Sequence, residues 1–109
     1  MPTTYKVLGQ VNPSATTATT LYTVPSATQT VVSTISICNQ ASTAATYRIA
    51  VRVAGSALSA EEYIVYGATV PASDSVFITA GITLGATDVL TVYSSSATVS
   101  FNAYGSEIS

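Results

Sequence analysis

The chain contains no histidine, no tryptophan, one cysteine, three basic and five acidic side chains in 109 residues. Each scarcity excludes a class of chemistry. Without histidine, a hydroxyl or thiol nucleophile lacks its usual general base, and transition metals lack their commonest ligand. One cysteine makes neither an internal disulfide nor a structural zinc site. Cys38 sits in the strand-like run Ile35-Ser36-Ile37-Cys38-Asn39 and is expected as a buried, inert thiol. Lys6, Arg48 and Arg52 are too few to build the positive footprint that phosphate contacts need, so no nucleic-acid partner is expected. The six glycines are scattered and form no phosphate loop. No apolar run reaches the length of a membrane span, so no membrane partner is expected. Met1-Pro2-Thr3-Thr4-Tyr5-Lys6 lacks the pattern of a signal peptide, which predicts folding in a cytoplasm without export.

The five carboxylates offer no catalytic pair. Glu61 and Glu62 are adjacent on a predicted strand, so they point to opposite faces. Asp74 and Asp88 stand where turns become strands, the place for side chains that bond nearby backbone amides. Glu107, near the C-terminal end, is expected in solvent. No metal, cofactor or catalytic residue is predicted, and the chain reads as a non-enzyme.

What is abundant points to β-structure. Ser and Thr fill 33 positions, 18 of them Thr, and Val, Ile and Tyr supply most other strand formers. Straight-chain helix formers are scarce, with one Lys, one Met and three Glu. Hydrophobic residues make up 48% and charged residues 7%, against about 25% charged in an ordinary soluble domain. Material for a core is therefore ample, while the exterior is built of hydroxyls and small apolar groups. So little charge repulsion leaves an isolated subunit poorly dispersed, and much of its outside is expected to be covered by copies of itself or by partners.

Period-two alternation predicts up to eight strands, at about 4–10, 20–24, 29–38, 45–53, 61–69, 75–81, 88–94 and 97–105. Residues 1–109 thus read as one all-β domain, a single antiparallel β-sandwich, jelly-roll or immunoglobulin-like. The Ser/Ala/Thr-rich stretch at 11–20 reads as a flexible connection or as a strip lying against a neighbouring subunit. Thr23-Val24-Pro25 recurs as Thr69-Val70-Pro71, a shared way of ending one strand and starting the next.

Two hairpins can be registered. In the first, Ile49 faces Val65 and Val51 faces Tyr63 on one side, while Arg52 meets Glu62, Ala50 meets Ile64 and Arg48 meets Tyr66 on the other. In the second, Leu90 meets Phe101 and Val92 meets Val99 inside, with Tyr93 and Tyr104 outside, around a Ser94-Ser95-Ser96-Ala97 turn. These registers nominate an interface patch of Arg48, Arg52, Glu62, Ile64 and Tyr66, and a second patch of Tyr93 and Tyr104. Tyr, Ile and Arg are the composition of interface anchors.

Leu21-Tyr22-Thr23-Val24-Pro25, the run Val31-Val32-Ser33-Thr34-Ile35-Ser36-Ile37-Cys38-Asn39 and Tyr47-Arg48-Ile49-Ala50-Val51-Arg52 resemble small β-sandwich structural domains of tailed phages. So does the tail Asp88-Val89-Leu90-Thr91-Val92-Tyr93 with Val99-Ser100-Phe101-Asn102-Ala103-Tyr104-Gly105. Such domains occur in virions, notably those of phages of aquatic bacteria. The resemblance implies a multicopy virion component made in the host cytoplasm. The reading it favours is a head decoration or cement protein, self-associating as a homo-oligomer around a three-fold axis and bound to the major capsid protein. The alternative is a tail, fibre or baseplate subunit with a receptor- or carbohydrate-binding role, using Tyr63, Tyr66, Tyr93 or Tyr104 as stacking platforms. A bacterial adhesion domain is a third reading, disfavoured by the missing export signal.

Overall fold

The computed structural model describes residues 2–79 and 81–109. Nine strands run in chain order as β1 (Thr3–Val11), β2 (Thr19–Thr23), β3 (Gln29–Asn39), β4 (Ala45–Arg52), β5 (Tyr63–Val70), β6 (Ser75–Ile78), β7 (Ile82–Leu84), β8 (Val89–Ser94) and β9 (Val99–Ile108). Among the described residues helix is confined to two single 3-10 turns, Val53–Gly55 and Ala60–Glu62. All strand pairs are antiparallel. Sheet A has the order β1-β9-β3, with β6 and β7 sharing the far edge of β3; sheet B has the order β2-β8-β4-β5. Apart from β4–β5 and β6–β7, each strand passes to the opposite sheet. This winding is a jelly roll, and it resolves the fold to that topology rather than the immunoglobulin one.

The expected strand at 75–81 is shorter, ending as β6 at Ile78, and β7 (Ile82–Leu84) was not foreseen; the two pair with opposite ends of β3, and position 80 of that prediction lies outside the described residues. Gly81 (φ 60) takes the left-handed conformation at the start of β7, where a break in the strand is easy. The second expected hairpin is corrected more deeply. β8 pairs with β2 and β4, β9 pairs with β1 and β3, and the two lie in different sheets. Leu90, Val92, Val99 and Phe101 are nonetheless all fully buried. They meet across the sandwich instead of side by side, and alternation alone does not distinguish these two ways of burying a strand face.

The core lies between the sheets. Val32, Ile35, Ile37, Phe101 and Ala103 of sheet A pack against Tyr47, Ile49, Leu90 and Val92 of sheet B. Tyr47 meets Phe101 edge-to-face with centroids 6.3 Å apart. The repeated Thr-Val-Pro elements act alike: Val24 and Val70 are buried plugs at the strand ends. Each is followed by a tight turn with a left-handed residue, Ala27 (φ 57) or Ser73 (φ 52). The 11–20 stretch is anchored: Asn12 Nδ2 donates to the Val99 carbonyl at 2.8 Å, and the Thr16 amide donates to Ser94 O at 2.8 Å.

Asn39 closes one end of the sandwich. Its amide nitrogen donates to the carbonyls of Thr43 (2.8 Å), Val70 and Pro71 (both 3.3 Å). Its oxygen accepts from the Ala41 amide and the Thr98 hydroxyl, both at 3.1 Å.

A second polar device joins the sheets near the other end. The Tyr22 hydroxyl of β2 donates to Glu107 Oε2 at 2.5 Å and lies 2.8 Å from the Thr30 hydroxyl, while Lys6 pairs with Glu107 Oε1 at 3.3 Å. Glu107 is thus not in bulk solvent; its side chain is 16% exposed. Burial, reinforced by the carboxylate, pushes the Tyr22 phenol up to about 12. The Tyr22 hydroxyl, with help from Lys6, holds Glu107 below the usual carboxylate value. The signs follow. The tyrosine contribution is complete below its ordinary value of 10.0 and is lost as pH rises toward 12. The glutamate contribution is complete above 4.5 and is lost as pH falls through the depressed value. Thermal melts across pH should therefore show Tm loss on both limbs, with Tyr22→Phe flattening the alkaline limb and Glu107→Gln the acid one. Unchanged limbs in both variants would refute the network's role.

Candidate interaction surfaces

Sheet B presents a row of three side chains across its outer face. The registers Arg48↔Tyr93 and Arg48↔Tyr66 place Arg48 of β4 between β8 and β5. Its guanidinium carbon lies 4.2 Å from the centroid of each ring. Cation–π contacts of this kind contribute roughly 0.5–2 kcal/mol, more as water is excluded. Tyr63 stands edge-to-face on Tyr66 at 4.9 Å.

The central register of the first expected hairpin is present: Arg48 faces Tyr66 and Ile49 faces Val65. Its outer pairs are not. A shift between Ile49 and Ala50 sets Tyr63 opposite Ala50 instead of Val51. Tyr63 thereby joins Tyr66 on the outer side, and Ile64 remains half-exposed. Arg52 and Glu62 do not pair. Ala54 (φ 54) and Gly55 (φ 71) turn the chain in the left-handed region just after β4. That turn brings the Ser56 and Gly55 carbonyls to Arg52 at 2.7 and 3.0 Å. Glu62 instead closes a capping box, accepting from the Ser59 amide at 2.9 Å and the Ser56 hydroxyl at 2.5 Å. Local partners are held by a few intervening residues, so they outcompete a long-side-chain pair at a strand end.

The 53–62 segment forms a strap along this face. Asp88 pins it, accepting from the Ala54 amide at 2.9 Å while its other oxygen accepts from Gly85 at 2.8 Å. Ala50, Val89 and Thr91 are buried although they point away from the core. The Thr91 hydroxyl has no partner among the described residues, where an unmet hydrogen bond costs about 1–3 kcal/mol. Between strap and sheet lies a groove of about 550 Å³, lined by Leu58, Ser59, Ala60, Tyr63 and Tyr66.

Tyr104 belongs elsewhere. It stands on the outer face of sheet A, so the expected Tyr93–Tyr104 patch does not exist: β8 and β9 are in different sheets. Sheet A instead carries four cross-strand rows with no charged side chain. They are Tyr5–Ser106–Val31–Thr83, Val7–Tyr104–Thr34, Gln10–Asn102–Ser36–Phe77, and Ser100–Cys38–Ser75. Tyr5 and Phe77 are 83% and 66% exposed. Cys38 is partly exposed on this face, not buried as the strand run suggested. Phe77 was concealed in the sequence because Val76-Phe77-Ile78 reads as continuous apolar; Val76 and Ile78 pack on the core and Phe77 faces outward. Among the described residues no three acidic, cysteine or histidine side chains cluster closely enough to hold a metal ion.

No protein-family model matches the chain, and no curated protein is significantly similar to it.

Proposed function

We propose that this chain is a non-enzymatic structural protein of a phage particle, a head decoration protein that caps neighbouring subunits with the outer face of sheet A. One observation supports the mode of contact: cross-strand rows without a charged side chain, with Tyr5, Val7, Phe77 and Tyr104 standing out of them. Four strands wide and up to eleven residues long, that face spans roughly 700 Å², close to the ~800 Å² each partner gives a standard stable interface. Tyr5, Val7, Phe77 and Tyr104 are the exposed apolar part of that face, and exposed apolar groups gathered on one face mark contact sites. The virion setting rests on the resemblance of the strand motifs; a jelly roll by itself serves many functions.

The occupant of the face is a second copy of the chain, and light scattering tests this. The purified protein is expected to run as an oligomer at micromolar concentration. Phe77→Lys with Tyr104→Lys is expected to give a monomer with an unchanged sheet spectrum. A wild-type chain that stays monomeric near millimolar concentration refutes self-association. For the virion reading, mass spectrometry of purified particles from a host carrying this sequence should find the chain in many copies per particle. Its absence from those particles would refute that part alone.

A further inference from the structure

We propose that the outer face of sheet B is a binding site for a short acidic saccharide, with Arg48 receiving a sugar carboxylate and the groove beside Tyr66 receiving the ring. This site is on the sheet opposite the proposed assembly face and does not depend on that reading.

Arg48 is the basic side chain without an acceptor among the described residues. Lys6 is paired with Glu107, and Arg52 donates to two strap carbonyls. Arg48 touches the Tyr66 and Tyr93 rings instead. A guanidinium held between two rings, with no protein acceptor among the described residues, keeps its N–H groups available to an incoming anion. The two rings restrain the side chain and shield part of it from water. What fits such donors is a planar two-oxygen acceptor approaching in plane, a carboxylate.

The neighbouring groove supplies the remainder. Its volume of about 550 Å³ lies within the usual range of small-ligand sites, about 300–1,000 Å³. Tyr63, Tyr66 and Leu58 give C–H-compatible walls, and Ser59 gives a hydroxyl at the rim. An extended peptide is the weaker fit. β5 is the free edge of sheet B, but two register shifts and Gly67 (φ 75) break its ladder within eight residues. Strand addition needs a continuous edge. Glu61 and Glu62 stand at the strap side of the groove, each already engaged with Ser56 or Ser59. Their charge disfavours a second carboxylate there, so the site suits one acidic sugar joined to a neutral one, not a polyanion.

The test is an NMR titration of the whole chain at low salt with an aldobiouronic acid, its neutral disaccharide analogue, and a capped Glu-Glu dipeptide. Saturable shifts of Arg48, Tyr63 and Tyr66 are expected with the acidic disaccharide, and binding at least about tenfold weaker for the other two probes. Arg48→Met should weaken the acidic disaccharide by about tenfold or more, with Arg48→Lys in between, because it keeps the charge and loses the fork. Should Arg48→Met disturb the sheet spectrum, Tyr63→Ser decides, with a similar loss expected. Equal binding of the neutral sugar, unimpaired binding by the folded variants, or no binding overturns the site. Preference for the dipeptide overturns the saccharide and makes Arg48 a protein-docking anchor.

Discussion

Gly105→Ala is expected to destabilise the protein by at least about 3 kcal/mol, a large share of the 5–15 kcal/mol that holds a typical domain together. The sign opposes the general tendency. Glycine inside a strand ordinarily weakens it by roughly 0.5–1 kcal/mol relative to alanine, so the substitution should help. Here a Cβ built on Gly105 overlaps the Val31 carbonyl oxygen and presses on Val32 Cα of β3. Both are backbone atoms, and no rotamer change relieves the overlap. Gly105 lies beside the β3 bulge between Val32 and Thr34, where the strand shifts register against β9. Relief would have to move β3, the strand that β6, β7 and β9 all pair with. Ser106→Ala, one residue on and facing out, should stay within about 0.5 kcal/mol and serves as the control. Urea unfolding measures both. A Gly105→Ala midpoint equal to wild type would mean that β3 and β9 do not approach this closely.

The second large effect is at Asn39. Asn39→Asp preserves shape and reverses the sense of the hydrogen bonds. The side-chain nitrogen that served the Thr43, Val70 and Pro71 carbonyls becomes an oxygen facing them. A charge is introduced at a position 1% exposed. Loss of about 3–5 kcal/mol at neutral pH is expected, the range for a buried charge left without its partner. Such a carboxyl has its folded pKa raised, so its penalty shrinks as pH falls and the proton returns. Unfolding of variant and wild type at matched pH values isolates this term from the acid limb caused by Glu107. A pH-independent difference, or one below about 1 kcal/mol, would show that Asn39 does not bridge the strands.

Much of the strand layout was legible in the sequence because period-two runs survive between the bulges. Leu90, Val92, Val99 and Phe101 were assigned inward from their neighbours alone, and all four are buried. What alternation does not carry is the identity of the strand alongside. β8 and β9 follow each other with a four-residue connection, and nothing in their side chains distinguishes a hairpin from a crossing between sheets. The same limit applied to the site. Arg48 beside Tyr66 was legible because β4 and β5 are consecutive. Tyr93 against Arg48 was not, since that contact depends on β8 returning beside β4 after three intervening strands. Arg52 and Glu62 were misassigned because the competing partners, strap carbonyls and a capping serine, appear only once Ala54 and Gly55 have turned the chain. Gly105 gave no signal either. A glycine that admits a neighbouring backbone looks the same in sequence as one that is merely tolerated.

The two outer faces differ in what the solvent can do to them. Attachment through the uncharged rows of sheet A draws on water released from apolar surface, which weakens on cooling and changes little with ionic strength. A carboxylate held at Arg48 on sheet B responds the other way, loosening as salt is added and changing little with moderate temperature shifts. On the two proposed contacts, chilling and desalting would be separate handles on one molecule: the first would release its broad flank, and the second would tighten its opposite one.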